Sequence, residues 1–256
     1  MQWFTQLDAW VQALIVSLMM YLMTALGASF VFFSKRLNQT VLTALTGLAA
    51  GIMIAACFFS LLLPAIESES ALPSYLTVTL GFALGCAFIL LSDYAFSRSK
   101  RSFHGIGDKQ NALLFLAVTL HNVPEGMSGG VAFAVAASGG GVLSAFLLAV
   151  GIAVQNFPEG MCVAFPLRAK GMSPLKSFAF SQGSGLVEIP ACILGALAAT
   201  AIAGLLPWAL SFSAGAMIAV VCSELIPECF AGNKTVASAG LAAGFCLMMI
   251  LDLALG

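Results

Sequence analysis

The 256-residue chain is 61% hydrophobic and only 8% charged, against about 25% charged in a soluble domain. Mean hydropathy is +1.03 and the formal net charge −1, which excludes an ordinary soluble fold and offers no basic surface for nucleic acid. The seven cysteines occur singly, with no CxxC pair, and read as small buried apolar residues rather than as reporters of a redox compartment.

A membrane-spanning helix needs about 20 mostly apolar residues. Eight segments qualify: 9–33, 41–63, 73–96, 111–136, 143–166, 174–199, 207–229 and 235–255. The opening MQWFTQLDAW has neither a basic n-region nor a cleavage signal, so the first span is expected to be retained. After it come Lys35 and Arg36. The second span carries AGIMIA (50–55), with Met53 inside it, and runs into LLLPAIE (61–67), ending at Glu67. The third holds Asp93 near its end and leads to the longest connection, RSKRSFHGIGDK (98–109), which contains His104 and is too short to be a domain. The fourth carries HNVPEG (121–126) and the fifth QNFPEG (155–160). Arg168, Lys170 and Lys176 lie between the fifth and sixth. The sixth contains SGLVEIP (184–190), with Glu188 two residues before a proline. The seventh contains AGAMIA (214–219) and ELIPE (224–228), and the eighth follows Lys234.

All ten Lys and Arg then fall on one face of the membrane, which is expected to be cytoplasmic, with both termini outside. Asp8, Glu67 and Glu69 fall on the other face, with Asp252 close to it. They read either as an acidic mouth that attracts cations or as ordinary surface carboxylates.

AGIMIA and AGAMIA are five spans apart. An odd offset makes the copies antiparallel, and the motif-bearing spans four and five are antiparallel too. The expectation is an all-α integral membrane protein of eight transmembrane helices in a 3+2+3 inverted repeat, residues 1–256 forming one transporter unit.

At 1.5 Å per residue, His121 lies roughly 15 Å into its span, near the midplane, and Gln155 is similarly deep from the opposite side. His121 and Glu125 are spaced i, i+4, as are Gln155 and Glu159, so each pair shares a helical face. Asn122 and Asn156 sit about 100° around from them. Pro124 and Pro158 lack the donor for one backbone hydrogen bond each and tend to kink their helices, freeing the carbonyls of Leu120 and Val154. Two unpaired carboxylates at this depth would be costly, and no Lys or Arg lies in a span core to offset them. A divalent cation would. A nitrogen-plus-oxygen donor set suits Zn²⁺, Fe²⁺ or Mn²⁺ better than Mg²⁺ or Ca²⁺. Glu188 widens the pocket. Met53 reads as packing or as a soft ligand. Glu224 and Glu228 read as an exit relay or as interfacial residues, and Asp93 as an aid to metal exit or as a helix cap.

The HN-x-PEG motif in the fourth span, its QN-x-PEG partner in the fifth and the eight-span plan resemble the ZIP (Zrt-, Irt-like) metal transporters over essentially the whole chain, with Gln155 resembling the GufA-like prokaryotic branch. The resemblance implies uptake of Zn²⁺ and related metals (Cd²⁺, Fe²⁺, Mn²⁺) into the cytoplasm across the cell inner or plasma membrane. It implies a binuclear site. His121, Glu125, Gln155 and Glu159 would form the first position; Asn122, Asn156 and Glu188 would join the second, with Glu125 and Glu159 bridging. Met53 resembles a ligand of the second span and Glu67 an acid at the outer entrance. It implies no enzymatic activity and no cofactor beyond the transported ion, the lipid bilayer as environment, and it is compatible with a homodimer. A channel-like pore or a metal-sensing membrane protein is the alternative. Gln155 stands where many members have His, and Asn156 where some have Asp.

Overall fold

The computed structural model describes residues 2–35, 38–70, 72–98, 109–137, 141–169, 171–201 and 204–255. Among the described residues there is no strand, and eight long helices follow a short turn at Gln2–Thr5. They are α1 (Ala9–Phe32), α2 (Gln39–Glu67), α3 (Ser74–Arg98), α4 (Lys109–Ala137), α5 (Val142–Ala169), α6 (Pro174–Ala201), α7 (Leu205–Ala231) and α8 (Lys234–Leu255). Within the described residues all but α4 hold a stretch long and apolar enough to cross a membrane. Polar caps fix several starts: Asn38 Oδ1 accepts from the Thr40 amide at 2.8 Å, Ser173 Oγ from that of Lys176 at 3.3 Å, and Asn233 Oδ1 from that of Thr235 at 3.0 Å.

The helices pair as α1 with α5, α4 with α6, α2 with α8 and α3 with α7. Exchanging α1 for α6, α2 for α7, α3 for α8 and α4 for α5 turns this list into itself, as a pseudo-two-fold axis requires. Burial obeys the same exchange. In their most apolar stretches α1 and α6 are each 39% buried, α3 and α8 each 22%, and α2 and α7 56% and 61%, so α3 and α8 are the outermost pair.

Small residues make these pairings close. Lipid supplies no hydrophobic drive between helices, so association depends on close backbone approach. The pentapeptide GLAAG occurs at 47–51 in α2 and again at 240–244 in α8. A Cβ on Gly51 would meet the carbonyl of Leu241, and one on Gly244 the carbonyl of Leu48. Across the axis, Gly85 of α3 abuts the Phe212 carbonyl and Gly215 of α7 the Phe82 carbonyl.

Proline shapes the helices differently from place to place. α4 and α5 run as unbroken helix through Pro124 and Pro158. α2 and α7 instead widen into a π-helical turn, at Cys57–Leu62 and Val221–Leu225, just before Pro64 and Pro227. Each proline has no N–H for the carbonyl four residues back, and the wider turn absorbs the mismatch. α6 breaks at Leu186 and Val187 into Pro174–Gly185 and Glu188–Ala201, where Pro190 leaves the Leu186 carbonyl without its helical donor.

α1, α4, α5 and α6 thus form a four-helix inner bundle that α2 with α8 and α3 with α7 flank. Sequence copies suggest one repeat moving against the other, but the packing splits each repeat: α1 and α6 belong to the inner bundle, and the remaining helices of each repeat pair with helices of the opposite repeat.

Candidate metal site in the inner bundle

The two hexapeptides face each other across α4 and α5. Asn122, Glu125, Asn156 and Glu188 are wholly inaccessible, Gln155 is 1% exposed and Glu159 is 7% exposed, so six polar side chains are buried together at mid-helix. Gly126 and Gly160 allow this. A Cβ on Gly126 would strike the Glu188 backbone of α6, and one on Gly160 the carbonyl of Thr24 in α1.

Hydrogen bonds tie the set together. Gln155 Nε2 donates to Glu125 Oε1 at 2.6 Å, linking the two motifs directly. Asn122 Nδ2 donates to the Ser184 carbonyl at 3.1 Å and Asn156 Nδ2 to the Met20 carbonyl at 3.4 Å. Met20 and Ser184 are 164 residues apart, as are Gly51 and Gly215, and Cys57 and Val221 at the starts of the π turns. The inverted repeat therefore reaches into the site itself. Glu188 breaks it: its counterpart at the same offset is Thr24. Asn156 Nδ2 bonds both Glu188 oxygens, at 3.0 and 2.8 Å, whereas Thr24 offers Asn122 no carboxylate on the other side of the axis.

Glu125, Glu159 and Glu188 lie in mutual electrostatic reach. No Lys or Arg occurs between Lys109 and Arg168, or between Lys176 and Lys234. Two like charges about 5 Å apart repel by roughly 3 kcal/mol at an effective dielectric of about 20, so the cluster calls for a cation or for protons. Four of its oxygens, Asn122 Oδ1, Glu125 Oε2, Gln155 Oε1 and Asn156 Oδ1, are buried with no hydrogen-bond partner among the described residues. Native interiors rarely leave such groups unmatched, and neutral and anionic oxygens together are what a divalent cation accepts. Among the described residues, no three His, Cys, Asp or Glu side chains converge tightly enough to hold an ion alone. The side chain of His121 lies outside the described residues, as does His104.

The remaining sequence candidates separate. Met53 is 2% exposed and, like its counterpart Met217, belongs to the apolar core, but it also lines a narrow cleft with Gln155 and Glu159. Glu67 lines a second cavity, of about 360 Å³, at the far end of α2 from Lys35. Asp252 shares it, with Oδ1 accepting from Ser60 Oγ at 2.8 Å and Oδ2 buried without a partner. Glu224 is half-buried beside Glu228, in the α7 turns around Pro227, and Asp93 is exposed on α3, away from the cluster. Sequence reasoning missed Ser60, Thr46 and Cys162, which reach these cavities only through packing between distant helices.

Residues 100–252 match the family described as ZIP Zinc transporter. The chain is 36% identical to Zinc transporter GufA of Myxococcus xanthus, over 95% of this chain and 98% of that protein. It is 36% identical to Zinc transporter ZIPB of Bordetella bronchiseptica, over 91% and 78%, and 32% identical to Zinc transporter ZIP11 of Homo sapiens, over 96% and 97%. A multi-pass helical bundle, two facing PEG motifs at its centre and full-length similarity to these relatives together show that the chain belongs to the ZIP zinc transporter family.

Proposed function

We propose that the protein carries divalent transition-metal ions, Zn²⁺ first and Cd²⁺, Fe²⁺ and Mn²⁺ besides, across the cell inner or plasma membrane into the cytoplasm. The whole chain acts as one transmembrane unit, with α4 as the eighth span and both termini outside. The observation that carries this reading is the set of four buried oxygens without hydrogen-bond partners among the described residues, grouped among three carboxylates in stretches that hold no Lys or Arg between Lys109 and Arg168 or between Lys176 and Lys234.

An ion enters at the cavity of Glu67 and Asp252, where two carboxylates offset its lost water. It then reaches the cluster, with His121, Glu125, Gln155 and Glu159 as one position and Asn122, Asn156 and Glu188 as a second. Glu125 and Glu159 bridge the two, and Met53 adds a thioether to the first. Exit passes Glu224 and Glu228, with Asp93 as a further acid on that face. The ion is moved, not chemically changed, so the protein performs no catalysis. The close α2–α8 and α3–α7 pairings support motion of the inner bundle as a body against a stiff outer frame. Carrier behaviour, rather than an open pore, predicts saturable uptake that is stimulated by metal on the opposite side.

Zinc uptake into proteoliposomes tests the reading. Glu125→Gln and Glu159→Gln proteins that elute as wild type should lose uptake by about tenfold or more, since each replaces an anionic ligand with a neutral amide. Wild-type uptake by folded variants would overturn the site.

A further inference from the structure

One turn beyond Glu159 on α5, Cys162 faces Thr46 of α2, with Sγ and Oγ1 3.2 Å apart. Both side chains line the cleft that holds Met53, Gln155 and Glu159, which has room for about one water-sized group. Leu225, in the π turn of α7, closes its far side, and Glu228 lies within electrostatic reach of Cys162. The setting is unlike that of the other cysteines. Cys57, Cys86, Cys192 and Cys229 turn their sulfurs to backbone carbonyls, of Ala214, Gly215, Ala13 and Ile226. Cys162 faces a side-chain hydroxyl and a cleft.

A cysteine in a cleft is not in itself a ligand. The second observation is Gln155, 1% exposed, which lines the same cleft and whose Oε1 has no hydrogen-bond partner among the described residues. The cleft is thus lined by a thiol, a thioether, an amide with an unmatched oxygen and a carboxylate around one small volume. Sulfur donors favour thiophilic ions and add little for hard ones.

Resting on the transport reading above, we infer that Cys162 is a soft ligand on the cytoplasmic side of the midplane cluster. It takes Zn²⁺ or Cd²⁺ as the ion leaves Gln155 and Glu159, and with Met53 it biases passage against Mn²⁺ and Mg²⁺. Coordination replaces the thiol proton with the ion, and the proton is released to the cytoplasmic solution. Thr46 holds the sulfur toward the cleft until the ion arrives.

Cadmium titration of the purified protein, read by the ultraviolet sulfur-to-cadmium charge-transfer band, tests this together with Cd²⁺ against Mn²⁺ competition in proteoliposomes. Cys162→Ser and Cys162→Ala should both lose part of the band while Glu125-dependent Cd²⁺ binding persists. The Cd²⁺ to Mn²⁺ uptake ratio should fall about tenfold, as loss of a sulfur donor removes soft-ion preference. Monodisperse variants that keep the wild-type band and ratio would overturn the inference. A band that depends on Cys162, in a protein that moves no ion at all, would support the ligand and count against the transport reading.

Discussion

Asn156 shows how the site divides its labour. One amide nitrogen serves both oxygens of Glu188 and the carbonyl of Met20, while its own Oδ1 has no partner. The nitrogen holds the carboxylate in place, and on the proposed reading the oxygen is left for the ion. Because Thr24 stands where the axis would put a second Glu188, only one side of the cluster has this carboxylate. Replacing Glu188 with Thr should restore the symmetry and remove the second ion. Equilibrium dialysis is expected to show bound zinc falling by about half, with uptake slowed but not abolished, since the second position loses its only charged ligand of its own. An unchanged zinc content would show that Glu188 binds no metal. The residue types and spacing of this cluster were legible in the sequence because two near-copies of one hexapeptide at matching depth have few structural explanations. Ser60, Thr46 and Cys162 were not, because nothing in their local sequence shows which distant helix they face.

Among the helices, the GLAAG copies at 47–51 and 240–244 set how closely α2 and α8 approach. A larger side chain there must push against backbone carbonyls, which cannot swing aside. Gly51→Val or Gly244→Val should therefore destabilise the protein by about 1–3 kcal/mol, seen as an earlier unfolding midpoint in detergent. Gly183→Ala, where a Cβ meets nothing, should leave the midpoint near wild type. The helices themselves were readable from apolar length, and the observed bounds differ from the expected ones by a few residues. What proline does was not. The same residue is absorbed in α4 and α5, widens α2 and α7 into π turns, and breaks α6 before Glu188. One residue type in helices of similar apolar sequence gives three outcomes, so the local sequence around each proline does not decide among them.

At the scale of the molecule, AGIMIA and AGAMIA correctly suggested antiparallel copies, and the pairing of all eight long helices obeys the corresponding exchange. The grouping of helices was out of sight, because short matches identify related spans without saying which spans touch. The resulting division predicts where a cross-link matters. Thr46→Cys opposite the native Cys162 would join α2 of the frame to α5 of the inner bundle, from positions whose side chains already meet at 3.2 Å. Oxidation should stop uptake and reduction restore it. A cysteine pair within the frame, at Phe59 of α2 and Phe245 of α8, whose rings lie 6.2 Å apart, joined by a short thiol-reactive cross-linker, should leave uptake intact. Equal effects of both cross-links would argue against the inner bundle moving as a body.

The most direct measurement is ⁶⁵Zn²⁺ uptake into proteoliposomes by the wild type, Glu125→Gln and Glu159→Gln, with bound zinc counted on the same purified samples. The account predicts saturable uptake by the wild type and the loss of both binding and uptake in each variant. Variants that fold, bind zinc and transport it as the wild type does would contradict it.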